Sequence, residues 1–154
     1  MKNLWEEAKS ISVQTGADIT GGFNIGFQKG ILEETKDALM EFVYWVEDHY
    51  PLPITLWVDF QYKHYLICDG KRVGYRFYWV DYPCLDVFEN FDDIPVIELP
   101  VRVENQSLEA VLKSFAAAIS HYYAWLQGLD MHTFVPEEEL TEAIVRDYYN
   151  TKGE

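Results

Sequence analysis

The chain has 154 residues, which suits one domain and is too short for two, because compact domains mostly run to roughly 100–200 residues before a core divides. Hydrophobic residues make up 49% and aromatics 16%, excluding a disordered chain, and a formal net charge of -14 opposes approach to a phosphate backbone, excluding a nucleic-acid binder. No apolar run reaches the ~20 residues that cross a bilayer and Met1–Ser10 is too charged for a signal peptide, so a cytoplasmic protein with no membrane partner is expected. The two cysteines, Cys68 and Cys84, make neither a disulfide framework nor a metal-binding pair, in keeping with a reducing compartment. The charge is uneven. From Asp81 to Glu142 thirteen acids face two bases, Arg102 and Lys113, whereas Lys63, Lys71, Arg72 and Arg76 cluster earlier. Such an acidic sector either keeps an aromatic-rich chain soluble or docks a basic partner.

In chain order, residues 1–31 read as an irregular, glycine-rich lead-in to a core spanning 32–150. A short helix candidate lies around Asn3–Lys9, followed by Gly16, Gly21, Gly22, Gly26 and Gly30, whose density marks turns. The Gly21–Gly26 stretch lacks the GK[ST] ending and the preceding strand of a phosphate-binding loop. Leu39, Phe42, Val43, Val46 and Tyr50 recur at helical steps, predicting an amphipathic helix from Leu32 to Asp48 that Pro51 stops. From Ile54 to Gln61 apolar residues alternate with Thr55, Trp57, Asp59 and Gln61, the period of a strand with one buried face. Lys63–Cys68 and Lys71–Val80 flank Asp69-Gly70, a dipeptide suited to the positive φ angles of a tight hairpin turn. Ile94–Val103 reads as a further strand, placed at a sheet edge because Pro95 and Pro100 each remove a ladder donor. Ser107 caps a long helix, Leu108–Gln127, stopped by Gly128; Pro136 opens a last helix whose Glu137, Glu138 and Glu139 suit the positive end of the helix dipole. The order predicts a single α+β domain: a helix, a small, mostly antiparallel sheet of three to four strands, a long central helix and a short C-terminal helix.

The stretch Ser114-Phe115-Ala116-Ala117-Ala118-Ile119-Ser120-His121-Tyr122-Tyr123-Ala124-Trp125-Leu126 resembles the active-site helix of small bacterial zincin-type metallopeptidases, where a pattern like TLxHExxHxxQWL carries the metal. In that family two histidines four residues apart bind Zn²⁺, the glutamate beside the first activates its water, and a third ligand, often glutamate, comes from the following helix. Laid on this pattern, His121 takes the place of the second histidine, Ala117 and Ala118 those of the first histidine and the glutamate, and Glu142 that of the third ligand, with Glu138 or Glu139 aligning nearly as well. The resemblance runs from about Glu34 to Tyr149 and extends to the order of elements. It implies a zincin-like fold whose catalytic motif is lost: no catalytic residue, no bound metal, no cofactor and no enzymatic activity, because Zn²⁺ needs three protein ligands and alanine transfers no proton.

Other constellations carry less. A lone histidine in an aromatic helix fits hydrogen-bonded packing better than ligation, and His49, His64 and His132 lie on separate elements. Ser120-His121 are helix neighbours that point apart, and no GxSxG elbow is present. Asp92-Asp93 read as solvated loop charge, and Tyr75, Phe77 and Trp79 as packing rather than a stacking face. Three functions follow as expectations. The first is a non-catalytic zincin-like protein binding a protein or peptide partner, with Ile94, Val96, Ile97, Leu99 and Val101 of the edge strand receiving it by strand addition. The second is an acidic immunity- or antitoxin-type protein that neutralises a basic partner. The third is an active metallopeptidase whose metal is held by His121, Glu142 and a residue the sequence does not reveal.

Overall fold

A computed structural model describes residues 4–8, 22–80, 94–102 and 107–152. Helical residues 4–8 (α1) come first. β1 (Phe23–Phe27), α2 (Glu33–His49) and β2 (Leu56–Gln61) then form a β-α-β unit whose strands pair in parallel from Phe23↔Leu56 to Phe27↔Phe60. β3 (Leu66–Cys68) and β4 (Lys71–Val73) make a separate two-stranded hairpin, and β5 (Arg76–Val80), β6 (Ile94–Pro100), α3 (Leu108–Leu126) and α4 (Glu138–Lys152) complete the order. The main sheet runs β1-β2-β6-β5, with β6 parallel to β2 and antiparallel to β5.

The α+β class, the Asp69-Gly70 turn and the long capped helix agree with the sequence reading, but the hairpin arms expected over Lys63–Cys68 and Lys71–Val80 shorten to Leu66–Cys68 and Lys71–Val73, and Arg76–Val80 pairs in the main sheet instead. Asp69 and Gly70 take φ of 51° and 77°, the left-handed pair that closes a two-residue turn at Cys68↔Lys71. Ser107 Oγ accepts from the Ala110 N–H at 3.1 Å. At the other end Gly128 (φ 74°) and Leu129 return hydrogen bonds to the Trp125 and Ala124 carbonyls, so the last turn satisfies its acceptors without a side chain. α4 spans 15 residues, longer than the short helix expected.

Three expectations are corrected. The sheet is mixed rather than mostly antiparallel, because two of its three pairings are parallel. The lead-in is not irregular throughout: Phe23, Ile25 and Phe27 turn toward the core as an outer strand, and Leu4, Trp5 and Ala8 are buried. Ile94–Val103 is not an edge, since β6 lies between β2 and β5, so Ile94, Val96, Ile97, Leu99 and Val101 do not line an open rim.

The prolines of β6 explain how an inner strand tolerates them. The Val101 N–H bonds to the Gln61 carbonyl, so odd-numbered residues of β6 direct their backbone groups toward β2 and even-numbered ones toward β5. Pro95 therefore lacks a donor on the β2 side, where pairing begins only at Trp57↔Val96. Pro100 lacks one on the β5 side, where pairing has ended at Arg76↔Glu98. Neither missing N–H costs a ladder bond.

The core lies between the sheet and the helices on one of its faces. Phe115 of α3 meets Phe23, Phe42 and Phe60 at centroid separations of 5.8, 5.5 and 5.5 Å, joining α2, α3, β1 and β2 through one ring. Phe42, Phe60 and Phe115 are fully buried, and each such ring contributes roughly 1.5–3 kcal/mol over exposure. α4 runs antiparallel to α3 and closes on α2 as well, with Tyr148 edge-on to Phe42 and Lys152 Nζ 2.7 Å from Glu41. No described helix is long and apolar enough to cross a membrane.

Candidate functional site

Ser114, Ala117, His121 and Trp125 follow one another at three- and four-residue steps and form a half-buried stripe on α3. Opposite it runs the chain from Gly74 into β5. A Cβ on Gly74 would stand 2.9 Å from Ser114 Oγ, so the backbone passes close over the helix there. Farther on, His121 meets Tyr75 and Phe77, and Trp125 meets Phe77 and Trp79. Tyr75, Phe77 and Trp79 are thus packing residues against α3, as the sequence favoured, although Trp79 remains 43% exposed.

The His121 ring is held from several sides. The Tyr75 hydroxyl lies 2.6 Å from Nδ1, Phe77 stacks at 6.0 Å and Phe134, from the α3–α4 connection, stands edge-on at 4.8 Å. Burial lowers the imidazole's proton affinity below the ordinary histidine range, partly offset by the nearby Phe134 backbone. Burial also raises the Tyr75 phenol, which stays protonated. A neutral imidazole has one N–H and one lone pair, so the pair suits either tautomer: Tyr75 donates to a bare Nδ1 or accepts from a protonated one. Nδ1 is engaged in both cases.

The other members of the resemblance do not gather there. Ala118 is fully buried and Ala117 half-buried, each ending in a methyl group. Glu142 Oε1 lies 3.7 Å from Lys113 Nζ, and Lys113 is also 3.7 Å from Glu109, which draws its ammonium toward the N-terminus of α3. Lys113 and His121 are eight residues apart, roughly 12 Å along a helix axis. Glu138 and Glu139 are exposed in the first turn of α4. The donor set does not fit a catalytic zinc ion, which needs three converging ligands and an open position. Among the described residues no three His, Cys, Asp or Glu side chains are placed to hold a metal.

Comparison with family models, curated proteins and solved structures finds no match.

The remaining sequence candidates scatter. His49 at the end of α2, His64 and His132 are exposed, and His49 Nδ1 bonds the Trp45 carbonyl at 2.8 Å. Ser120 is buried and linked to α1 rather than to a triad: it accepts from Trp5 Nε1 at 2.9 Å and donates to the Ala116 carbonyl at 3.1 Å. Tyr123 donates to the Pro51 carbonyl at 3.0 Å, and Tyr122 clasps Ile54, so the aromatic flanks of His121 anchor the approach to β2. Cys84, Asp92 and Asp93 lie outside the described residues.

Sequence reasoning missed the face of the sheet turned away from the helices. Register places Asp59, Glu98 and Arg76 in one row across β2, β6 and β5. Arg76 pairs with Glu98 at 3.4 Å, Tyr78 donates to Glu98 at 3.4 Å and Gln61 to Asp59 at 3.0 Å. At its end the β3–β4 hairpin walls a cleft of about 410 Å³ lined by Gln61, Lys63, Tyr65, Ile67, Arg76 and Glu98, among others. The alternation of Trp57, Asp59 and Gln61 carried part of this signal; the pairing partners it needed lie tens of residues away.

Proposed function

We propose that the chain is a non-catalytic domain of zincin-like type that binds a protein or peptide by strand addition along β5. The supporting observation is the engagement of His121 Nδ1 by Tyr75 and the packing of its ring against Phe77 and Phe134, beside two methyl groups where hydrolysis would require an imidazole and a carboxylate. The edge role expected of β6 passes to β5, which is the last strand of the described sheet and lies over the α3 stripe. Alternation turns the backbone groups of Arg76 and Tyr78 toward β6 and those of Phe77 and Trp79 outward, available to an added strand.

Selection of extended peptides from a displayed library, followed by titration against the parent and Trp79→Pro, tests this directly. Proline at that position removes an outward donor while leaving the ladder to β6 intact, so peptide affinity should drop while the fold persists. Binders indifferent to Trp79→Pro would count against the edge. Stoichiometric zinc retained through dialysis, together with peptide-bond cleavage, would overturn the non-catalytic assignment.

A second reading, a neutraliser of a basic partner, is favoured by one observation. α2 and α4 lie side by side through Lys152 and Glu41, and they expose Glu33, Glu34, Asp37 and Asp48 on one and Glu138, Glu139 and Asp147 on the other. A basic protein bound at that face would associate fast at low salt and lose affinity steeply as salt rises.

A further inference from the structure

The strongest departure from the chain's acidity is the β3–β4 hairpin. Between residues 62 and 76 four cations, Lys63, Lys71, Arg72 and Arg76, stand against a single acid, Asp69, in a chain of formal net charge -14. Lys63, Lys71 and Arg72 are exposed, and among the described residues none has a carboxylate partner, although the chain holds 26 acids to supply one. The described ion pairs engage Lys36, Arg76, Lys113 and Lys152 instead. Apolar surface is interleaved with this charge: Tyr62, Tyr65 and Ile67 are 39%, 40% and 59% exposed.

The geometry is specific. The Arg72 guanidinium lies over the Tyr65 ring at 4.3 Å, a cation–π contact that restrains the side chain on the hairpin. A guanidinium suits bidentate capture of a carboxylate. Tyr65 also lines the 410 Å³ cleft between the hairpin and the outer face of the sheet, together with Ile67 and Arg76.

We propose that this hairpin is a docking site for an acidic polypeptide segment of another protein, with its carboxylates on Lys63 and Arg72, an apolar side chain in the cleft beside Ile67, and Lys71 adding positive charge from the opposite face of the hairpin. The site rests on the hairpin alone and does not depend on strand addition at β5. Charge complementarity selects an acidic ligand. A short peptide is favoured over a nucleic acid for two reasons. One face of Tyr65 is already covered by Arg72, and one of Tyr62 by Arg102 at 4.8 Å, which removes stacking surface for bases. A polyphosphate would also run off the hairpin onto acidic surface. The surrounding acids permit a short acidic ligand because charges beyond about 10 Å are largely screened at ~0.1 M salt.

Fluorescence anisotropy with a labelled Glu/Leu-rich peptide tests the site, using the full chain, the variants Lys71→Glu/Arg72→Glu and Ile67→Ser, and Trp79→Pro as a control. Expected are saturable binding at ~0.1 M salt that is lost toward ~1 M, about a tenfold or greater weakening in the charge-reversal variant, a smaller weakening for Ile67→Ser, and none for Trp79→Pro. All of these side chains are exposed, and far-UV circular dichroism checks that the fold is retained. Three results would overturn the proposal: equal binding by the charge-reversal variant; tighter binding of an oligothymidylate than of the peptide; or a concentration-dependent dimer, abolished by the charge reversal, in the absence of any peptide, which would make the occupant a second copy of this chain.

Discussion

Replacing His121 by alanine and Tyr75 by phenylalanine, singly and together, measures what this pair does. The hydroxyl lies 2.6 Å from Nδ1 and both side chains are half-buried. Tyr75→Phe removes only the hydroxyl, and water reaches a half-buried nitrogen, so its loss should be about 0.5–1.5 kcal/mol. His121→Ala removes the hydroxyl's partner together with the ring that Phe77 and Phe134 meet at 6.0 and 4.8 Å. Truncating a partly exposed ring adds about 1–2 kcal/mol to the same hydrogen-bond loss, for about 1.5–3.5 kcal/mol in all. The double variant should cost about 1 kcal/mol less than the sum of the singles, because the bond is lost only once. Equilibrium urea unfolding followed by tryptophan fluorescence supplies the four free energies. A coupling indistinguishable from zero, or a His121→Ala stability within about 0.5 kcal/mol of the parent, refutes the packing role and reopens a ligand role for the imidazole.

Trp5 is fully buried and edge-on to Tyr50 and Tyr123 at 4.7 and 5.5 Å, so Trp5→Ala should cost about 3–5 kcal/mol and lower the calorimetric Tm by on the order of 10 °C. An unchanged Tm would return α1 to the status of a lead-in. Because burial lowers the His121 pKa below its unfolded value, the unfolded chain takes up the proton first. The stability this group contributes is complete above about pH 6.5 and is lost as pH falls through the folded pKa, with a slope of at most about 1.4 kcal/mol per unit. Urea midpoints measured between about pH 7 and 5.5 should fall in the parent and fall less in His121→Gln; parallel curves would show that another group titrates. Ala118 is fully buried, so Ala118→Glu places an unpaired carboxylate in the core and should cost more than about 3 kcal/mol. An Ala117→His/Ala118→Glu variant that folds normally and holds zinc would contradict the packing described for α3.

The elements legible in the sequence are those whose stability is local. Ser107, Gly128 and the stripe through Leu112, Phe115 and Ile119 define α3 without reference to any other segment, and Asp69-Gly70 defines the hairpin in the same way. Pairing was less legible. Phe23, Ile25 and Phe27 do alternate, but the glycines around them obscure the period, and the strand is stabilised by β2, more than thirty residues away in sequence. Gly30 at φ 109°, where a Cβ would meet the Tyr62 ring at 2.9 Å, serves the turn out of β1 rather than interrupting it. The prolines misled for a related reason. A missing N–H forbids pairing on one side of a strand at one residue, and the side it removes is set by a register that the sequence of β6 alone does not contain.

His121 presents the same difficulty at a single residue. Spacing along α3 puts it in line with Ala117 and Trp125, which is what a metal-binding helix face and a packing face have in common. What separates the two is what surrounds the ring: Tyr75, 46 residues earlier, at Nδ1, and Phe134 in the next connection, edge-on to it. The neighbouring alanines have an account of their own. Ala116, Ala118 and Ala124 are fully buried on α3, where small side chains let the helix sit close to its neighbours in the core. A methyl at position 118 is therefore what packing requires there, whether or not a carboxylate ever stood in its place. It follows that the case for binding rather than hydrolysis rests on the packed imidazole and the outward edge of β5 more than on the absence of a motif.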